Sequence, residues 1–244
     1  MVDTARRIID SALASGRTVL LEDEAKAICQ EYDISTPTSQ LAHDPQEAVK
    51  IAERIGYPVV MKISSIDISH KSDVGGVAIG LDSASKVHAA FDGLIKNALH
   101  FKADASITGV LVEKQAPQGV EMIVGARKDP QFGHIIIVGL GGVSVELFKD
   151  FSARLVPFSE REALKMIREM KAYQLLAGWR GKSPMDIAAL AKIIMSVSKL
   201  VTEYPSVEEL DLNPVAVYEN GAIVLDSRIS FDRTFQSNLI TETR

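Results

Sequence analysis

A chain of 244 residues, 46% hydrophobic and 24% charged, has an ordinary globular composition and is long enough for one large domain or two small lobes. Its net charge of −5 argues against a nucleic acid as main partner, because a phosphate backbone demands a basic face. No apolar run approaches the roughly 18 residues of a membrane span, and the N-terminus MVDTARRIID lacks the apolar core of a signal peptide. The single cysteine, Cys29, rules out an intrachain disulfide and sits at an apolar helix phase with Ala25, Ile28 and Tyr32. A cytoplasmic location is the default expectation.

In chain order, residues 3–15 read as a helix with Ile8, Ile9 and Leu13 on one face, and Glu22 to Tyr32 as a second. DISTPT at 33–38 breaks it, and a short strand is expected at Ser39–Ala42. Asp44, Pro45 and Glu47 have the pattern of a capped helix start, and that helix runs to Ile55 before Gly56. The run from Val59 to Ile63 is β-favouring and is interrupted by Lys62, which needs a partner or an opening to water. A polar loop, 64–72, holds His70. Asp73 and Gly75–Gly76 turn the chain into a second strand, Val77–Leu81.

A helix over 83–101 follows, with Val87, Ala90, Phe91, Leu94, Ile95 and Leu99 on its apolar face. The strands Gly109–Gln115, Val120–Arg127 and His134–Val138 come in close succession and suggest an antiparallel meander. Ser159 and Glu162 form a capping-box pattern, and a further helix is expected from about Pro184, with Ile187, Leu190, Ala191, Ile194, Val197, Leu200 and Val201 at helical spacing. The last pair of strands, Val207–Val217 and Ala222–Asp226, is joined by Asn220–Gly221, a strong hairpin signal.

Two stretches carry chemistry. In the first, a cationic strand residue (Lys62), a loop histidine (His70) and a glycine turn suit phosphate handling, although an edge lysine and a solvated histidine fit the same residues. Eight residues separate Lys62 and His70, a reach of at most about 29 Å. An imidazole of ordinary pKa, about 6.5, is mostly neutral near pH 7 and is a competent nucleophile toward phosphorus. In the second, Asp211 and Asn213 are two apart and share one strand face, and Asp226 ends the partner strand. Hard oxygen donors of this kind suit Mg²⁺, while strand ends and turns also favour Asp and Asn without any metal.

The string HKSDVGGV resembles the phosphate-handling loop of the ADP-forming (NDP-forming) acyl-CoA synthetases, in their ATP-grasp β part, and the likeness extends over nearly the whole chain. The resemblance implies an α+β ATP-grasp fold of two lobes with the nucleotide between them. Its expected divisions are an N-terminal helix at 1–19, a small lobe at 20–105, a large lobe at 106–232 and a polar tail at 233–244. It implies that His70 carries a phosphoryl group and that Lys62 and Arg127, in GARKDPQFGH, neutralise phosphate charge. By the same resemblance Glu113 and Lys114 lie at the adenine-binding hinge and Glu121 faces the nucleotide. Asn213 and Asp226 are then the metal ligands, with Asp211 a supporting acid or third ligand.

The implied cofactor is Mg²⁺ with ATP or ADP as substrate, and the implied reaction is acyl-CoA + ADP + phosphate ⇌ carboxylate + CoA + ATP. The chain has no GxGxxG after a strand, so a partner α subunit carrying the CoA site is expected, in an αβ or α₂β₂ assembly. GLGG at 139–142 offers backbone N–H groups to a phosphate or simply makes a turn. Glu146, Asp150 and Arg154 receive no role. The competing readings are a non-catalytic nucleotide-binding regulatory subunit and a carboxylate–amine ligase on the same fold; the second has no need of a phosphorylatable histidine.

Overall fold

The structure, a computed structural model, describes residues 3–68, 70–142, 150–181 and 183–232; the expected polar tail lies outside them. The chain divides into two compact units. One holds Leu21–Asp23 and Pro37–Pro117; the other holds the described residues up to Leu20, Glu24–Thr36 and those from Gln118 onward.

The smaller unit is one antiparallel sheet with two helices on one face. Its strands are β1 (Ser39–Ala42), β2 (Val59–Ser65), β3 (Val77–Leu81) and β4 (Ile107–Lys114), in the order β1-β4-β2-β3. Helix α3 (Pro45–Ile55) begins as its sequence pattern predicts: the Asp44 carboxylate accepts the Glu47 N–H at 2.7 Å, and Glu47 reaches back to the His43 N–H at 2.8 Å. Helix α4 (Ala84–Phe101) buries Val87, Phe91, Leu94 and Ala98. These side chains pack with Met61, Ile63, Val110 and Val112, so alternate residues of β2 and β4 face the helices. Lys62 and Glu113 therefore fall on the opposite face of the sheet.

The larger unit is a second antiparallel sheet. Its strands are β5 (Val120–Asp129), β6 (Gly133–Leu140), β7 (Phe151–Leu155), β8 (Val207–Val217), β9 (Ala222–Val224) and β10 (Ser227–Phe231). The order is β10-β8-β5-β6-β7, with β9 also on β8. Helices α5 (Glu160–Glu169) and α7 (Ile187–Glu203) cover one face, with the short α6 (Tyr173–Leu176) between them in sequence. The face of α7 predicted from spacing is the one buried: Leu190, Ala191, Ile194, Val197, Leu200 and Val201 are each at most 1% exposed. At about 2 kcal/mol per fully buried aliphatic side chain, this stripe alone fixes the helix on the sheet. Helices α1 (Thr4–Ala14) and α2 (Glu22–Glu31) bury Ile9, Leu13, Ile28 and Cys29 in the same core.

The units are cut differently from the expected lobes. Strand β4, expected in the large lobe, pairs along its length with β1 and β2 and so belongs to the smaller unit. Most of α2, expected in the small lobe, belongs to the larger unit's core. For the same reason the meander is β5-β6-β7 without β4. Three local readings also change. Ser159 precedes α5 but makes no side-chain cap: the Glu162 N–H donates to the Ser159 carbonyl at 2.9 Å, and the Glu162 carboxylate is engaged by Arg154 at 3.4 Å and by Lys165. The final long helix starts at Ile187, three residues beyond Pro184, and Asp186 caps it, accepting the Ala189 N–H at 2.9 Å. Strand β10 has no counterpart among the expected elements; it adds to β8 beyond the Asn220–Gly221 hairpin.

Candidate active site

In the smaller unit the site is built around a lysine that folding forces to find partners. Lys62 is 7% exposed, a position that costs several kcal/mol for an uncompensated ammonium. Its Nζ donates to Glu22 Oε1 at 2.6 Å and lies 3.1 Å from Glu113 Oε2. Glu113 comes within reach because β2 and β4 set Lys62 opposite Leu111 and Val60 opposite Glu113, a diagonal pair on one sheet face. The other oxygen of Glu22, Oε2, accepts from Lys71. Two lysines and two glutamates thus form one nearly dry, charge-balanced cluster.

Lys71 directly follows His70, which is exposed. The chain on both sides of His70 is held. After it, the Lys71 carbonyl accepts the Gly76 N–H at 2.7 Å, and the Gly76 carbonyl accepts the Ile63 N–H at 2.8 Å. A Cβ at Gly76 would meet Ile63 Cγ2 at 2.8 Å and the Lys71 carbonyl at 2.9 Å, so the glycine is needed for this closure. Before it, Asp67 accepts from Lys102 and from the Ser106 N–H at 2.7 Å, and Ile68 is buried. Lys114, at the end of β4, spends its ammonium on the carbonyls of Gly56 and Tyr57, both at 2.9 Å. Gln115, beyond it, donates its backbone N–H to the Pro58 carbonyl and accepts the Gly80 N–H on its side chain at 2.8 Å.

In the larger unit, the face of the sheet turned away from the helices carries the charges. Along β8, Glu209, Asp211 and Asn213 alternate with the buried Leu210 and Leu212. On β5, Arg127 lies opposite Glu209, and on β10, Arg228 lies opposite Asp211. Glu121 is exposed at the start of β5. The Asp226 kink between β9 and β10 is tied to Asn213 and Pro214 of β8: Asn213 N–H donates to the Asp226 carbonyl at 3.1 Å and Leu225 N–H to the Pro214 carbonyl at 2.9 Å. The buried Lys26 of α2 donates to the Leu225 carbonyl at 3.0 Å, one residue before Asp226. The Asp226 carboxylate accepts the N–H of Ser227 at 3.0 Å.

Burial pushes the Asp211 carboxyl up to about 6, and the negative charges of Glu209 and Asp226 push the same way against Arg228. Among the described residues no group of three or more His, Cys, Asp or Glu is arranged to hold a metal ion. The negative charge of Asp226 acts on Asp211, a repulsion that a divalent cation relieves, and carboxylate and amide oxygens such as those of Asp211, Asp226 and Asn213 are the donor type Mg²⁺ prefers. The donor set fits Mg²⁺.

The structure thus places Lys62 and Glu113 on one face of the smaller unit's sheet, on its two central strands, with His70 in the loop after β2, and Arg127, Asp211, Asn213 and Asp226 on one sheet face or its adjoining kink. It ties Lys114 to a turn. Gly141 N–H donates to the Glu121 carbonyl at 2.8 Å, and Gly142 has φ +72°, so GLGG closes against Glu121. Asp150 accepts the N–H groups of Lys171 and Ala172, and Arg154 pairs with Glu169 at 2.7 Å, both within the larger unit. Glu146 lies outside the described residues. Lys128 is 3.8 Å from Asp232. The residues that sequence reasoning missed are Glu22, Glu209 and Arg228. Glu209 extends the alternation of Asp211 and Asn213 by one step, and that period was the available signal.

A family model described as an ATP-grasp domain matches residues 11–231, which makes the two-sheet architecture that of an ATP-grasp protein. Within that class, the β subunit of the ADP-forming acetate–CoA ligase I of Pyrococcus furiosus is 47% identical over 228 residues, covering 93% of this chain and 98% of the relative. The dinucleotide-forming acetyl-coenzyme A synthetase 1 of Ca. Korarchaeum cryptofilum, solved with coenzyme A, Ca-AMPCP and HgCl⁺, superposes with a TM-score of 0.91 at 44% identity, over 93% of this chain and 100% of the other. A second structure of that synthetase, with coenzyme A and Mg-AMPPCP, has its phosphohistidine segment pointing towards the nucleotide binding site; its TM-score is 0.82 at 42% identity, over 93% and 100% of the chains. The chain belongs to the ATP-grasp β subunits of the ADP-forming acyl-CoA ligases. Among the described residues no helix is long and apolar enough to cross a membrane.

Proposed function

We propose that the chain binds the nucleotide and performs the phosphohistidine half of the reaction acyl-CoA + ADP + phosphate ⇌ carboxylate + CoA + ATP. The observation that carries this reading is His70 itself: an exposed imidazole, next in sequence to a lysine that shares a buried carboxylate with Lys62. The relative with a phosphohistidine segment supports it. In the ATP-forming direction reversed, a neutral ring nitrogen of His70 attacks the γ-phosphorus. The P–O bond to ADP breaks, its electron pair leaves on the ADP oxygen, and the imidazole N–H proton is released to water. Lys62 and Arg127 balance phosphate charge, and Glu113 holds Lys62 in place. Asp211, Asn213 and Asp226 hold Mg²⁺, which when bound neutralises phosphate charge. Glu121 and the hinge after Glu113 and Lys114 receive the nucleotide.

A β subunit has a separate α partner; we assign to that partner the CoA site, in an α₂β₂ assembly. The test is His70→Asn, which keeps polarity and approximate size but removes the nucleophilic nitrogen. With the α subunit present, the variant binds nucleotide as before and loses acid-labile phosphohistidine and ATP formation. Near-normal turnover of His70→Asn overturns the carrier role.

A further inference from the structure

Glu22 has no part in the chemistry above, yet its position is costly. Its side chain is 3% exposed, and burying a carboxylate is unfavourable by several kcal/mol unless it is paired. Its two oxygens are divided between two lysines, Lys62 on Oε1 and Lys71 on Oε2. Glu22 joins α2, most of which belongs to the larger unit, but Leu21–Asp23 cluster with the smaller unit, where these partners lie. One lysine stands where the proposed function puts phosphate; the other begins the held turn that follows His70. Lys71 is fixed at both ends, its side chain by Glu22 and its carbonyl by Gly76. The Glu22 contact that helps hold the segment around His70 also touches Lys62.

We propose that Glu22 is a positioning residue for phosphoryl transfer, setting the Lys71 stem of the His70 segment at a fixed spacing from Lys62. This rests on the reading of His70 as the phosphoryl carrier. Glu22 gives and takes no proton and touches no reacting atom. Two unlike effects follow from its charge. It orders the stem through Lys71, and it competes with phosphate for Lys62. Removing the charge therefore slows transfer to His70 while leaving nucleotide binding unchanged or tighter, a split that a general loss of structure does not produce.

The experiment uses the αβ complex and Mg-ATP, with wild type, Glu22→Gln, Lys71→Met and the double variant. Phosphohistidine formation is followed by rapid quench, and nucleotide affinity by calorimetry. Expected are at least a tenfold slower phosphorylation in Glu22→Gln with nucleotide Kd equal to or below that of wild type, a similar slowing in Lys71→Met, and a double variant no slower than either single one. Glu22→Asp, which keeps the charge, restores part of the rate. A wild-type phosphorylation rate in Glu22→Gln, multiplying effects in the double variant, or a nucleotide affinity that falls together with the rate each overturn the proposal. If Glu22→Gln does not fold, Lys71→Met at wild-type rate overturns it alone. Loss of phosphohistidine in His70→Asn alongside an unaffected Glu22→Gln refutes this inference and leaves the carrier reading standing; retained exchange in His70→Asn refutes the carrier reading first.

Discussion

Replacing Lys62 by methionine keeps length and apolar stem but removes the charge shared by Glu22 and Glu113. The lysine side chain is 9% exposed and each carboxylate 3%, so solvent screens these contacts little. At an effective dielectric of about 20, unit charges at 2.6 and 3.1 Å attract by about 6 and about 5 kcal/mol before desolvation is subtracted. Desolvating three ions takes most of that back, so the assembled cluster contributes little net stability. Removing one partner is different, because the desolvation of the remaining carboxylates is still incurred; the usual cost is about 3–5 kcal/mol. Glu22 retains Lys71, which places the variant toward the lower end. The loss falls on the sheet of the smaller unit, so amide hydrogen exchange reports it. Amides of β2 and β4 exchange on the order of 10² to 10³ times faster, while those of β5 and β8 keep their rates. Adding Glu113→Gln to Lys62→Met recovers part of the loss. Exchange in β2 and β4 within about threefold of wild type, or equal acceleration in β5 and β8, would falsify the claim that this cluster is a local, nearly dry one.

Two further outcomes are expected. Asp226→Ala and Asn213→Ala each raise the Mg²⁺ concentration needed for half-maximal turnover by about tenfold or more and leave the fold intact, since both residues sit at a strand kink outside the core; unchanged Mg²⁺ titrations in both variants move the metal elsewhere. The backbone N–H groups of Ala189 and Gly221 hold the Asp186 carboxyl below the usual range. A depressed carboxylate stabilises fully above its unfolded value of about 3.9 and loses that contribution as pH falls through the lower folded value. Asp186→Ala therefore costs about 1 kcal/mol at neutral pH, and its gap from wild type narrows on acidification below about pH 4. Urea titrations followed by Trp179 fluorescence measure both, and a gap that widens with acid refutes the assignment.

Helices with one dominant face were legible because local spacing determines them: α3 and α7 stand where their caps and apolar stripes place them, α7 with a start three residues later than expected. Sheet partners were not. The pattern of β4 says only that it is a strand; that it pairs with β1 and β2 and not with β5 is decided by which faces are left to bury after the chain has turned at Pro117. Strand β10, SRISF, is short and carries Arg and Ser on alternate positions, so it lacks the apolar run that announces a strand, yet its Ile229 and Phe231 are buried once β8 is beside it. The Ser159–Glu162 pattern failed for a different reason. The Glu162 N–H donates to the Ser159 carbonyl and not to its hydroxyl, and Arg154 and Lys165 engage the glutamate that would have reached back.

The same limit applied to the site. Lys62 announced its need for a partner, because an ammonium between Met61 and Ile63 cannot stay bare. Its partner could not be named, since an acid at the first position of a helix already has a sufficient reason in the helix dipole. Only the folded chain brings Glu22 to two lysines at once. Under the proposed function, a phosphate approaching Lys62 meets a charge already paired with Glu22 and Glu113, so its attraction is reduced by the contacts it displaces. An acid-free lysine in the same place would hold phosphate more tightly and release it more slowly, which is a disadvantage for a group that must be handed to a histidine and returned. Tighter nucleotide binding in Glu22→Gln, with slower transfer, is the signature of that compromise.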